Sequence, residues 1–256
     1  MRCALDVPSR DEILRELEGI PFGDECAGKA RINMEKSQKK RKKRNVLWKK
    51  KSIFFWLPYW KDKLLQHNLD VMHIEKNVMD HILHTIINTN ENTKDNLLAR
   101  LDLQKMGLRP TLHPWTGEDG RTYIRLACHT MSKDDKTNFL RVLKNVRVPD
   151  GYASNISRCV KLKDRMITGL MSHDSHVLMQ QLLPIAVRGS LSPNVVQPLI
   201  EMSAFFTSIY STTLTQGDMD RLETSVCVTL CKMEQIFSPS FFTIMAHLVV
   251  HLVREY

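Results

Sequence analysis

The chain has 256 residues, 43% of them hydrophobic, and 37 Lys and Arg against 28 Asp and Glu give a net charge of +9. That length has room for one or two domains and the composition is enough for a real core, so a wholly disordered chain is excluded. No stretch approaches the roughly 18 apolar residues of a membrane span, and MRCALDVPSRDEIL has no apolar block of the signal-peptide kind, which points to a soluble intracellular protein with no membrane partner.

The charge is unevenly spread. Lys36 to Lys51 holds ten basic residues and no acidic one, which leaves 27 basic against 28 acidic residues elsewhere. Within this run, Lys39, Lys40, Arg41, Lys42, Lys43 and Arg44 form an unbroken block, followed by Lys49, Lys50 and Lys51. Such a block repels itself and stays extended, and it reads as a nuclear-import or phosphate-binding arm, with a solvated linker as the plainer alternative. The expected location is the nucleus and the expected partner of the arm is DNA. The cysteines, Cys3, Cys26, Cys128, Cys159, Cys227 and Cys231, show no disulfide spacing or CxxC knuckle and are expected to be reduced.

The expected fold is mainly α: a disordered basic arm over 1–52, a helical region over 53–106, a linker with a loop and short helix over 107–160, and a bundle of about four helices over 161–256. In the arm, Ser9 and Glu12 can close a capping box before Ile13, Leu14 and Leu17. An amphipathic helix is predicted from Pro58 through Ile86, with a break near Asn68, and a second over Asp95–Met106 that Gly107 ends. Residues 107–131 carry Pro110, Pro114, Gly117 and Gly120 with little period, which predicts a loop or a β excursion at Arg121–Cys128. Ser132 is placed to cap a helix with Phe139, Leu140 and Leu143 on one face. The bundle helices are predicted over Asp174–Arg188, Ser192–Tyr210, Asp218–Ile236 and from Ser238 to the end, with Pro184 and Pro198 expected to kink or break the first two.

LDVMHIEKNV at Leu69–Val78 and MSHDSHVLMQQLLPIAVRG at Met171–Gly189 together resemble the downstream part of plant CACTA (En/Spm-type) transposases, from about Lys50 to the last residue. The first stretch resembles the end of the transposase domain; the second resembles a plant domain of unknown function that accompanies it. The resemblance implies a mobile-element fragment, with Asp70 and His73 matching a D-x-x-H motif beside the metal-dependent active site of an RNase H-like fold. The family's acidic residues lie mostly upstream, where this chain has its unmatched residues 1–49, and neither Glu75 nor Glu91 can be assigned a catalytic role. The family also continues past Tyr256, so the chain is expected to be clipped. Divalent metal, magnesium, is implied only for the intact parent, and no cofactor is expected here.

The residues themselves give modest chemistry. Asp70 and His73 share a helix face and could bind a metal or orient one another, but two ligands fall short of a two-metal phosphoryl-transfer site. His73, Asn77, His81 and His84 form a polar stripe expected to face solvent or a groove. His173 and His176 flank Asp174 and could bind a transition metal, although the family usually has Cys where Ser175 stands; capping by Asp174 or Ser172 explains them better. Cys227 and Cys231 are expected in the core. His247 and His251, with Glu255, could align three ligands on one helix face, but Leu248 stands where a metalloprotease needs Glu. A buried polar seam, or an interface with a missing C-terminal part, is preferred to a metal site completed by SHDSH. The expected function is a catalytically inactive transposon-derived fragment with a helical interaction domain, whose partner could be an intact transposase. A domesticated nuclear DNA-binding or scaffold protein using the basic arm is the alternative, and an active metal-dependent transposase the third.

Overall fold

The computed structural model describes residues 10–20, 52–57, 59, 69–89, 93–147 and 155–255. The chain divides into two units, Met1–Asn68 and Leu69–Tyr256. In the first unit, α1 (Arg10–Gly19) carries Asp11 and Glu12 in its electropositive first turn, and Ile53–Trp56 forms a 3-10 turn. The cations Lys36–Lys51, and Pro58 with residues 60–68, lie outside the described residues.

The second unit is built around α2 (Val71–Ile87). Ile74, Val78, Met79, Ile82, Leu83 and Ile86 on it are at most 2% exposed, and each such burial is worth about 1.5–3 kcal/mol. Its start agrees with the break expected near Asn68: Asp70 is extended and caps the helix through its carboxylate. Asn88 ends α2 in the left-handed region at φ 53°, a conformation Asn tolerates. α3 (Leu97–Lys105) is capped by Asn96, and Gly107 follows at φ 68°, where a Cβ would be strained. The β excursion is shorter than expected. Strands β1 (Trp115–Thr116) and β2 (Thr122–Tyr123) pair antiparallel, Trp115 opposite Tyr123. α4 (Lys133–Lys144) begins with a capping box between Ser132 and Asp135 and buries Phe139, Leu140 and Leu143.

After the short α5 (Ile156–Cys159), strands β3 (Val160–Lys161) and β4 (Met166–Ile167) form a second hairpin that no alternation of residues announced. The predicted Asp174–Arg188 helix is three pieces: α6 (Ser172–Val177), a π-helical turn at Leu178–Leu182, and α7 (Leu183–Ala186). Pro184 explains the turn. In the π register the Leu183 amide donates to Leu178, and the Met179 carbonyl would look to Pro184, which has no N–H. The hydroxyl of Ser203, 1% exposed, donates to that carbonyl instead.

Ser203 lies on α8 (Pro193–Ile209), which runs unbroken through Pro198. Of the expected kink or break, no break occurs, although Pro198, the sixth residue of the helix, leaves the Asn194 carbonyl without its helical donor. α9 (Gln216–Glu234) starts from a Thr215–Asp218 capping box. The last helix also starts later than expected: Pro239–Phe241 is a 3-10 turn and α10 is Ile244–Glu255. Ser238 and Ser240 both donate to the Lys94 carbonyl, and Phe237 stacks on Phe241 at 4.3 Å, which holds the turn away from helical continuation.

One continuous core runs from Ile74 on α2 to Val253 on α10 and takes in α4 and the β3–β4 hairpin. The segments expected as three regions, 53–106, 107–160 and 161–256, therefore share a core from Leu69 onward, because α2 packs on α6 and α10. Among the described residues no helix is long and apolar enough to cross a membrane.

Candidate functional site

Periodicity buries Ile74 and Val78 on α2, and that rotation carries Glu75 inward with them, to 1% exposure. An isolated carboxylate there would be costly, so its oxygens need partners. Both are met from α6 and the π turn: Glu75 Oε2 lies 2.8 Å from His176 Nδ1, and Gln180 Nε2 donates to Oε1 at 2.9 Å. The two stretches singled out in the sequence, Leu69–Val78 and Met171–Gly189, are thus joined through one carboxylate. The His176 ring meets Tyr210 edge-on at 4.7 Å. Burial, then the neighbouring Glu75 charge, push the Tyr210 phenol well above its ordinary range.

The other candidate residues are placed around this joint. Asp70 Oδ1 accepts the His73 amide at 3.0 Å, which makes the D-x-x-H pair a helix cap. The exposed His73 ring lies 3.3 Å from Asn77 Nδ2. Asp174 Oδ2 accepts the Met171 amide at 3.0 Å, so the SHDSH acid is also a cap, and His173 is exposed with its ring 6.3 Å from that of His176.

The polar stripe runs from the exposed His73 to His84, which lines a cleft with Asn88 and Thr89. His81 sets its ring against Phe241 and keeps a buried Nδ1 without a hydrogen bond; burial, then Lys94, pull its pKa down to about 4. His84 bonds Thr89 at 2.9 Å and is also lowered by burial.

His247 and His251 are exposed, with their Nε2 atoms 3.1 Å apart, so the buried seam expected there is a surface pair. The Glu255 side chain lies outside the described residues. Cys227 and Cys231 are exposed too, which corrects their expected place in the core: Val226, Thr229 and Met233 supply the buried face of α9. Among the described residues, no three His, Cys, Asp or Glu side chains stand together as a metal-holding group.

A second constellation was not foreseen. Arg100, 1% exposed, forks onto Asp95: its Nε donates to Oδ1 and its Nη2 donates to Oδ2 at 2.5 Å. His129, equally buried, sets Nε2 3.1 Å from Asp95 Oδ2 and Nδ1 3.1 Å from the Ile236 carbonyl. Arg109, held at φ 48°, donates to the carbonyls of Ile236 and Phe237 at 3.0 Å and to that of Glu234. Arg109 and the His129 ring therefore close the C-terminal end of α9, where unpaired carbonyls and the helix dipole favour positive charge. A single Arg inside the apolar period of LLARLDL was the one available signal.

The family described as "Domain of unknown function (DUF4218)" matches residues 209–256, which contain α9 and α10. No curated protein and no solved structure matches the chain. DUF4218 domains are commonly found in transposase-associated plant proteins, and residues 209–256 of this chain carry such a transposon-associated domain of unknown function.

Proposed function

We propose that this chain is a fragment derived from a CACTA-type transposase, without strand-cutting activity, whose helical unit serves as an accessory module that binds other macromolecules. The observation that carries the reading is how the acids of the transposase-like stretch are used. Asp70 is a helix cap and Glu75 has both oxygens bonded inside the core. In-line phosphoryl transfer needs carboxylates free to converge on ions about 3.5–4 Å apart. The test is the purified full chain on supercoiled plasmid with magnesium or manganese: the plasmid stays supercoiled. Nicking that is lost in Asp70→Ala overturns the reading.

The basic arm favours a more specific role for the module, contact with DNA in the nucleus, since ten cations in sixteen positions form a polyanion footprint. Binding through the arm releases counterions. With roughly five cations engaged, the log–log salt slope is about −4 to −5, and sequence preference is small. Replacing Lys39–Arg44 with Gln flattens that slope and disperses a nuclear reporter fused to residues 36–51. An unchanged slope removes the arm from the proposal.

A further inference from the structure

Burial of Ala246, Val249, Leu252 and Val253 fixes the rotation of α10 and turns His247 and His251, one turn apart, out to solvent. Their Nε2 atoms are 3.1 Å apart. Two imidazole nitrogens that face each other this closely can share either a proton, one ring donating to the other, or a metal ion held between two lone pairs.

The distances suit an ion. Nitrogens separated by 3.1 Å and bound to one metal at about 2.0–2.1 Å subtend an angle of about 95–102° there. That falls between the angle of about 90° at square-planar and octahedral centres and that of about 109° at tetrahedral ones. The rings give a separate check. Aimed straight at each other across this gap, they would have centroids about 5.4 Å apart; converging on one ion at that bond length, about 4.8–4.9 Å. The centroids are 4.9 Å apart, with the ring planes inclined by 70°. Arg254, on the next turn of α10, is paired with Glu223 at 2.5 Å, which offsets its charge against an incoming cation.

We propose that His247 and His251 form a two-nitrogen chelate for a late first-row divalent metal of the nickel, copper and zinc class, which clips one turn of α10. Imidazole suits these ions, whereas magnesium and manganese favour oxygen donors, so the site is distinct from any phosphoryl-transfer centre. Among the described residues no third His, Cys, Asp or Glu side chain completes the group, so water takes the remaining positions. The second ring meets an ion that the first already holds, and the pair therefore binds about a hundredfold more tightly than one exposed imidazole.

Calorimetric titration of nickel chloride into the untagged full-length chain, kept reduced with a phosphine, tests the proposal. The native chain takes up one nickel ion more tightly than any further one, and His247→Gln and His251→Gln each weaken that uptake about a hundredfold. Both side chains are exposed, so both variants keep the native circular dichroism. His173→Gln, at another exposed histidine, leaves the uptake unchanged. Saturating nickel raises the thermal midpoint of the native chain above that of nickel-loaded His251→Gln, because the chelate exists only in the folded helix. A native chain whose tightest uptake equals that of His247→Gln, or an equal loss in His173→Gln, overturns the proposal.

Discussion

The two buried carboxylates, Glu75 and Asp95, solve the same problem differently. Glu75 is satisfied by a half-buried histidine and a neutral amide, and its histidine partner keeps 25% of its side chain in solvent. Asp95 is satisfied by a guanidinium and a histidine ring that are each 1% exposed. The first arrangement can relax toward water when a partner is lost; the second cannot. A motif-rich stretch therefore lies at the more forgiving joint, and the more demanding one lies where no motif pointed.

The largest expected effect comes from breaking the demanding joint. Arg100→Met leaves Asp95 short of its main counter-charge and should cost about 3–5 kcal/mol in denaturant unfolding. Glu75→Gln leaves His176 and Gln180 with a neutral partner and should cost about 1–3 kcal/mol. Equal losses at the two positions would erase the distinction. Ser203→Ala, which orphans the Met179 carbonyl opposite Pro184, should also cost about 1–3 kcal/mol.

The two regions should also separate by pH. Side-chain bonds from His129 and then Arg100 outweigh burial and hold Asp95 below its usual 3.8, so its contribution is complete above 3.8 and fades as pH falls through the folded value. Burial alone would lower His129, but the Asp95 bond, Cys128 and the Asp95 charge together hold it above 6.5, so its contribution is complete below 6.5 and fades as pH rises through the folded value. His81 runs the other way. With its pKa pulled from 6.5 to about 4, it costs stability as pH falls across that window. Thermal unfolding at stepped pH should show His129→Gln losing the alkaline decline and His81→Leu losing the decline between 6.5 and 4. The smallest effect is at the cap: Asp70→Ala should cost about 1 kcal/mol and nothing more.

Apolar period made most of the helices legible, because burial of α2, α4, α8 and α9 follows one face. Capping residues were legible wherever the side chain bonds its own turn, as at Ser132. What escaped was either too short to leave a pattern or long-range. The β3–β4 hairpin is two residues a side, too short to alternate, and the Arg109 clamp spans 127 residues to Ile236. Pro184 was visible as a disturbance, yet its outcome depended on Ser203 being across from Met179. For the candidate site, His176 was noticed as a possible ligand, while its true partner Glu75 sat a hundred residues away in the other stretch.

The claim on which the account rests is that Asp70 and Glu75 are spent on the fold. Titrating manganese into the full-length chain, with free ion followed by its electron paramagnetic resonance signal, tests it directly. The account predicts no depletion of the signal beyond weak binding that is the same in the native chain and in Glu75→Gln. Stoichiometric uptake by the native chain that disappears in Glu75→Gln would contradict it.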